Sequence, residues 1–327
     1  MKEDEIIRLV ASRLYGEGEN PLYPGDDSFV VDLKEGRYVI TCDQYIEGVH
    51  FGGDYFTYQE MAVRAVYATV SDICAMGAKP QFYMLCLGLP PNVDMDVVEQ
   101  IAEGLYRAQE ALNIKCIAGD TTSSKSVNLS VFCFGISEGR VLQRSRVNVN
   151  DDIYISGEIG LSYVGLELLK GGLNRKSAEA ERWGRAIERH ITPLPRVELG
   201  LSLAERGIAN ACIDTSDSLS ICLNHLSASS GVGIEIDRDT LPISSELIRF
   251  SEMKDFDILE VALYAGEDYE LLFTTSNSKS EEIDNLSRKL GIRLTRVGRA
   301  FEGEGVYLIG MGERLKIEAK GFSHFGR

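Results

Sequence analysis

Acidic residues recur beside glycines at the ends of short apolar segments, and this pattern constrains the chain more than any other. Gly25-Asp26-Asp27, Thr41-Cys42-Asp43, Gly119-Asp120-Thr121-Thr122, Asp214-Thr215-Ser216-Asp217 and Gly266-Glu267-Asp268 each border an apolar run. Asp72 sits inside the Ala-rich segment Tyr58 to Met76. Taken singly, Gly25-Asp26-Asp27 is a turn and Asp72 an exposed polar position. A carboxylate delivered to a strand end or an apolar helix is costly to bury unless a cation or a donor meets it. Six such places favour a common purpose: carboxylates that converge in space and hold divalent cations, with magnesium the hard ion that prefers such oxygens.

Charge sharpens that reading. The 327 residues carry 50 acidic and 34 basic side chains, a formal net charge of −16. This balance argues against non-specific nucleic-acid or membrane-surface binding, both of which need a positive field. An acidic protein can still hold a polyphosphate if bound cations neutralise it. The familiar alternatives are missing: there is no G-x-x-x-x-G-K-[ST] phosphate cradle, no H-R-D or D-F-G set, no G-x-S-x-G elbow and no H-E-x-x-H pair among His50, His190, His225 and His324. The seven cysteines include no C-x-x-C pair, so reduced thiols in a cytoplasmic protein are expected. The charged start, Met1 to Glu5, lacks the apolar core of a signal peptide. The uncharged stretch Pro80 to Val93 is too short and too interrupted to span a bilayer.

The length predicts two domains. In the first part, periodicity predicts helices over 3–15, 58–76 and 93–112, and strands over 38–41, 82–89, 115–118 and 127–133. A second set starts near Asp151, with a strand over 153–157, helices over 162–170 and 196–206, and strands over 233–236, 269–274, 294–298 and 306–309. Helices and strands mix without a clean βαβ rhythm, so two α+β domains are expected, residues 1–145 and 146–327.

The quoted residues, taken in order, resemble the thiamine-monophosphate kinase family. The resemblance rests on Gly25-Asp26-Asp27, Asp43 to Phe51 with its E-G-V-H-F string, Ser71 to Ala78, Gly119 to Thr122, Arg144-Ser145, Asp214 to Asp217, Ala265 to Phe273 with its G-E-D-Y-E-L-L-F string, and Gly321 to Phe325. The aspartates alone would fit the wider superfamily of aminoimidazole ribonucleotide synthetase, selenophosphate synthetase and the hydrogenase-maturation dehydratase. What the resemblance implies is direct, in-line transfer of a phosphoryl group from ATP to thiamine monophosphate, with several magnesium ions and no phosphoenzyme. It implies a magnesium shell of Asp27, Thr41, Asp43, Asp72, Asp120, Asp214 and Asp217, with Cys42 reaching metal through its backbone. Gly119, Asp120, Arg144 and Ser216 would contact ATP. His50 and Glu267 would hold thiamine monophosphate, and Phe322 would stack on its ring. The implied fold is a two-domain α+β chain with a mixed N-terminal sheet that forms a homodimer, an α/β-type C-terminal domain, and a site in the cleft between domains. Five residues stand against the family pattern: Cys42 for Ser or Thr, Ser218 for Gly, Ala118 and Ala265 for Gly, and Ser323 for Asp. Rival readings are another ATP-dependent superfamily enzyme, a synthetase or dehydratase, and a non-catalytic ATP-binding paralogue.

Overall fold

The computed structural model describes residues 3–15, 33 and 35–321. The chain forms two compact units. The first comprises residues 1–73 and 79–138, and the second residues 74–78 and 139–327.

The first unit is a four-stranded sheet with three helices. These are α1 (Glu3–Tyr15), β1 (Arg37–Ile46), α2 (Tyr58–Ala75), β2 (Lys79–Leu89), α3 (Met95–Leu112), β3 (Lys115–Ser123) and β4 (Asn128–Ser137). The strand order is β1-β4-β2-β3, antiparallel except for the β2–β3 pair. Strand β4 reads as an unbroken alternation: Leu129, Val131 and Cys133 are wholly buried, while Ser130, Phe132 and Phe134 are half-buried. One sheet face therefore builds a core and the other does not. Helix α2 is buried almost all round, from Met61 to Ala75, its buried span including the polar Arg64, Thr69 and Ser71. Helix α3 starts at an Asp94 cap, whose carboxylate accepts from the Asp96 amide at 3.2 Å, and ends at Asn113 in a left-handed conformation. The helix predicted from Val93 thus begins two residues later.

Helices α2 and α3 approach closely where α3 carries Gly104. A β-carbon at this position would collide with the Gln59 carbonyl and lie 2.8 Å from the Ala62 methyl. Gly104→Ala is expected to lower stability by about 1–3 kcal/mol, the usual cost of overpacking, and a shift of the denaturant midpoint checks it.

The second unit is built on a seven-stranded sheet. Its elements are β5 (Asp152–Ser156), α4 (Leu161–Lys170), α5 (Ala178–Arg182), α6 (Gly184–Ile191), α7 (Val197–Glu205), β6 (Ala211–Asp214), α8 (Leu219–Ser230), β7 (Gly233–Asp237), α9 (Ser245–Lys254), α10 (Ile258–Tyr264), β8 (Leu271–Thr275), α11 (Ser280–Leu290), β9 (Leu294–Phe301), β10 (Val306–Gly310) and β11 (Glu313–Lys316). The order is β11-β10-β7-β9-β5-β8-β6, antiparallel throughout except for β7–β10. Strands β5, β6 and β8 are buried at every residue, so both faces of the sheet centre are covered. Ile153 and Ile155 enter one core with Leu223, Leu226, Ile234 and Leu272. Tyr154 points to the opposite core with Leu199, Leu203, Leu271 and Phe273, stacking on Phe273 at 5.6 Å between ring centres. The architecture is α+β, as expected.

Candidate active site

The first unit gathers three of the expected residues. Thr41 and Asp43 are two apart on β1, so their side chains share one face, where they oppose Cys133 and Val131 of β4. Asp72 enters from the last turn of α2. The Thr41 hydroxyl donates to Asp72 Oδ2 at 2.6 Å. Burial pushes the Asp43 carboxyl up to about 6; the Asp72 charge adds to that, and hydroxyl hydrogen bonds from Thr69 and Tyr45 oppose it. Burial also pushes the Cys133 thiol up to about 12, with the Asp72 charge contributing. The two carboxylates are thus half-buried and near enough for the Asp72 charge to raise Asp43, a repulsion that a hard cation would relieve. The residues present fit a magnesium ion in this respect. Among the described residues, no group of three or more His, Cys, Asp or Glu side chains forms a ready metal cage.

The strands run further than periodicity predicts. Asp43 lies inside β1 rather than at its end, and Asp120 lies inside β3, which continues to Ser123. Asp120 pairs in register with Cys86 of β2 and stands on the half-open sheet face, where its charge helps burial raise the Cys86 thiol. Cys42 is exposed on this same face; burial raises its thiol, with Asp43 and Cys86 adding. Strands β4 and β2 separate Asp43 from Asp120. At about 4.8 Å per strand their backbones lie roughly 14 Å apart. Within one chain, that separation keeps Asp120 out of the coordination sphere of an ion held by Asp43 and Asp72. Gly119 adjoins Asp120, and a β-carbon there would lie 2.6 Å from the Leu85 carbonyl.

His50 follows a turn at Gly48, where φ is +83°. The Ile46 amide donates to its Nδ1 at 3.0 Å, which places the proton of the neutral ring on Nε2. Asp27, expected to hold metal, and Phe322, expected to stack on the substrate ring, lie outside the described residues.

The second unit gathers the other group. Asp214 ends β6 and is buried, whereas Asp217 is exposed. Burial pushes the Cys222 thiol well up; the charges of Asp214 and Asp217 add, and the Arg144 charge opposes them. The loop 265–270 is laced to the loop 214–217. The Glu267 amide donates to the Ser216 carbonyl at 2.6 Å, the Tyr269 amide to the Thr215 carbonyl at 3.0 Å, and the Thr215 amide to the Glu270 carbonyl at 2.8 Å. Gly266 lies so close to Asp217 that a β-carbon would collide with its carbonyl. Glu267 and Tyr269 hold left-handed φ values of +66° and +49°, a strained conformation for side chains of this size. The Glu267 carboxylate stands 3.7 Å from His190 Nδ1.

Beneath this loop lies an anchor that sequence reasoning missed. Glu270 is wholly buried and accepts from Arg189, from Arg196 through Nε at 2.7 Å and again through its terminal amino group, and from the Ser156 hydroxyl. Asp268 accepts from the Gly160 and Ser162 amides at 2.9 and 3.4 Å. Burial pushes its carboxyl up to about 7 against those amides and Arg189. Glu270 stands in the G-E-D-Y-E string, but nothing in the sequence marks Arg189 or Arg196 as its partners.

Comparison with known proteins shows the family. Residues 25–137 match the family model of AIR synthase related protein, N-terminal domain, and residues 148–310 match its C-terminal domain. Thiamine-monophosphate kinase from Aquifex aeolicus is 34% identical over 302 residues, 92% of each chain. The chain belongs to the thiamine-monophosphate kinase family. The crystal structure of thiamine-monophosphate kinase from Stenotrophomonas maltophilia superposes with a TM-score of 0.83 at 32% identity, covering 96% of this chain and 98% of that one. The structure of AaThiL complexed with AMPPCP and TMP superposes at 0.79 and 32% identity, covering 99% of both. Among the described residues no helix is long and apolar enough to cross a membrane.

Proposed function

We propose that this protein transfers the γ-phosphoryl group of ATP in line to the phosphate of thiamine monophosphate, giving thiamine diphosphate and ADP, with magnesium as the required ion. The observation that carries the chemistry is the carboxylate Asp43 under the influence of the Asp72 charge, with the Thr41 hydroxyl donating to Asp72. A relative of 32% identity bound to an ATP analogue and TMP supports the substrates. The acceptor is a phosphate monoester that is already ionised at neutral pH, so no strong base is needed. Positioning and charge neutralisation do most of the work in phosphoryl transfer. Magnesium, when bound, would offset the repulsion between donor and acceptor phosphates.

The roles follow the resemblance. Thr41, Asp43 and Asp72, with Asp27 and the Cys42 backbone, hold metal from the first unit, and Asp120 does so from the other sheet face. Asp214 and Asp217 hold metal from the second unit. Gly119, Asp120, Arg144 and Ser216 contact ATP. His50, with its proton on Nε2, is a donor suited to a phosphate oxygen, and Glu267 and Phe322 hold the rest of thiamine monophosphate. The test is purified protein with thiamine monophosphate, ATP and magnesium, with the product identified. Formation of thiamine diphosphate supports the reading. ADP release only with another acceptor would mark a different superfamily enzyme, and ATP binding without turnover a non-catalytic paralogue. His50→Ala is expected to raise the KM for thiamine monophosphate about tenfold, the worth of one charge-assisted hydrogen bond, with little change for ATP. Steady-state kinetics in both substrates checks this.

The protein acts in the cytoplasm as a homodimer that pairs through the first unit's sheet. Its open face carries Ile40, 61% exposed, and the half-buried Phe82 and Phe134, stacked at 4.9 Å, an apolar surface that a second copy would cover. Phe134→Asp should leave a monomer in sedimentation experiments. An unchanged dimer would exclude this face.

A further inference from the structure

Helix α4 has no cap of its own. It begins at Gly160, held at φ +84°, which brings no side chain to the free amides of the first turn, where Ser, Thr, Asp or Asn ordinarily stands. A β-carbon on Gly160 would collide with Leu247 of α9, so a larger residue is kept out. Asp268, 108 residues along the chain, does the capping instead: its carboxylate accepts from the Gly160 amide at 2.9 Å and from the Ser162 amide at 3.4 Å. This borrowed cap ties the helix to a loop under strain. Glu267 and Tyr269, on either side of Asp268, hold left-handed φ values, a conformation that persists only where surrounding contacts over-determine it. Arg189 and Arg196 both go to Glu270, so the buried Asp268 is met by amides rather than by a paired cation.

We propose that Asp268 is a proton-sensitive latch: its carboxyl group holds the 265–270 loop on the first turn of α4, firmly when protonated and loosely when ionised. Ionised, it gains from two amides and from the Arg189 charge, but it is shut away from water beside the Glu270 charge. Protonated, it still has an oxygen to accept the Gly160 amide, and no charge is buried. Burial outweighs the amides and Arg189 and pushes this carboxyl up to about 7, with Glu270 adding. The ordinary Asp value is about 4, so the closed loop binds the proton more tightly than the open one. The hold is fully present below about pH 4 and is lost as pH rises through 7. Other charged groups join the same elements. His190 of α6 has its Nδ1 3.1 Å from the Ser162 hydroxyl and 3.7 Å from the Glu267 carboxylate. Glu158 before α4 and Glu246 of α9 are both paired with Arg185 of α6. Asp214 and Asp217 belong to the segment to which the loop is bonded through Thr215 and Ser216.

The experiment follows hydrogen exchange of the full-length protein, free of metal and substrate, as protection relative to an unstructured chain, in the parent, Asp268→Asn and His190→Gln. In the parent, protection of residues 265–270 and 159–163 should fall about tenfold from pH 6 to pH 8, the change expected of a group that titrates near 7 in the closed loop and near 4 in the open one. Residues 223–230 of α8, in the same unit, should change less. Asp268→Asn, neutral at every pH, should change less than about twofold over this range, and His190→Gln should keep the parent's step. Equal protection at pH 6 and pH 8 in the parent overturns the latch whether or not the variants fold. A step that survives Asp268→Asn, or that vanishes in His190→Gln, overturns it as well, because the titrating group is then the imidazole. An equal step in 223–230 also overturns it, since the proton would then act on the whole unit rather than on one loop.

Discussion

Asp43→Asn is expected to reduce turnover on the order of a hundredfold to a thousandfold, the scale seen when one preorganised electrostatic group is removed from a reacting site. The substitution keeps the shape and removes the charge. The Asp72 charge raises Asp43, so losing one charge relieves repulsion in the metal-free chain while halving what the pair offers a cation. The metal-free variant should therefore fold at least as well as the parent and need far more magnesium for half-maximal activity. The pH dependence has a definite sign. The ordinary Asp value is about 4, and the folded chain raises Asp43 to about 6, so the native state binds this proton more tightly than the unfolded chain does. The stability this contributes is fully present below about pH 4 and is lost as pH rises through 6. Without metal, the parent's melting temperature should fall over that window more than the variant's, and magnesium should restore the parent alone. The same competition predicts that magnesium binding to the parent weakens below pH 6. Asp120→Asn should also lower turnover, without this signature, because Asp120 stands on the other sheet face with Cys86. Near-normal turnover of Asp43→Asn at ordinary magnesium would remove Asp43 from the metal site.

How far the sequence announces these arrangements depends on the kind of contact. Asp72 is legible because a carboxylate interrupts an Ala-rich helix buried almost all round, and the structure meets it with the Thr41 hydroxyl. Strand β3 is legible only in its first half. Beyond Ala118 the residues are Gly-Asp-Thr-Thr-Ser, which carry no apolar alternation because β3 is an edge strand exposed along that stretch. Charged β11, Glu-Arg-Leu-Lys, escapes notice for the same reason, since edges are kept polar to prevent further pairing. Helix α8 is marked by its apolar spacing more than by its composition. Its serines suggest a loop, but Leu219, Cys222, Leu223 and Leu226 follow the helical spacing and enter the core, bracketed by the Ser218 cap and Gly231 at φ +67°. The separation of Asp43 from Asp120 is a matter of strand order, which no local pattern encodes. Neither does any pattern join Glu270 to Arg189 and Arg196, some 80 residues away.

That last cluster has the largest expected effect on stability. Glu270→Leu should cost about 3–5 kcal/mol, the range for removing one partner of a buried ion pair. The reason lies in what remains. Arg189 and Arg196 are mostly buried, with side chains only 13% and 17% exposed, and both converge on this carboxylate. Without it two guanidinium groups of like sign face each other with little water to screen them, and the Ser156 hydroxyl loses its acceptor. The cost is a penalty for stranded charge rather than the net worth of the ion pairs, and a second substitution separates the two. Arg196→Leu added to Glu270→Leu should recover part of the loss, because one stranded charge is then gone, so the double variant should be more stable than the sum of the single changes predicts. Denaturant midpoints of the four proteins measure this. The loop that holds Glu267 and Tyr269 at left-handed φ is bonded to Thr215 and Ser216 on one side and continues into Glu270 on the other. Glu270→Leu should therefore raise the KM for thiamine monophosphate even where the protein is fully folded. A loss below 1 kcal/mol, or simple additivity with Arg196→Leu, would show that the two arginines are solvated well enough to do without the glutamate and that the strained loop is held by its backbone bonds alone.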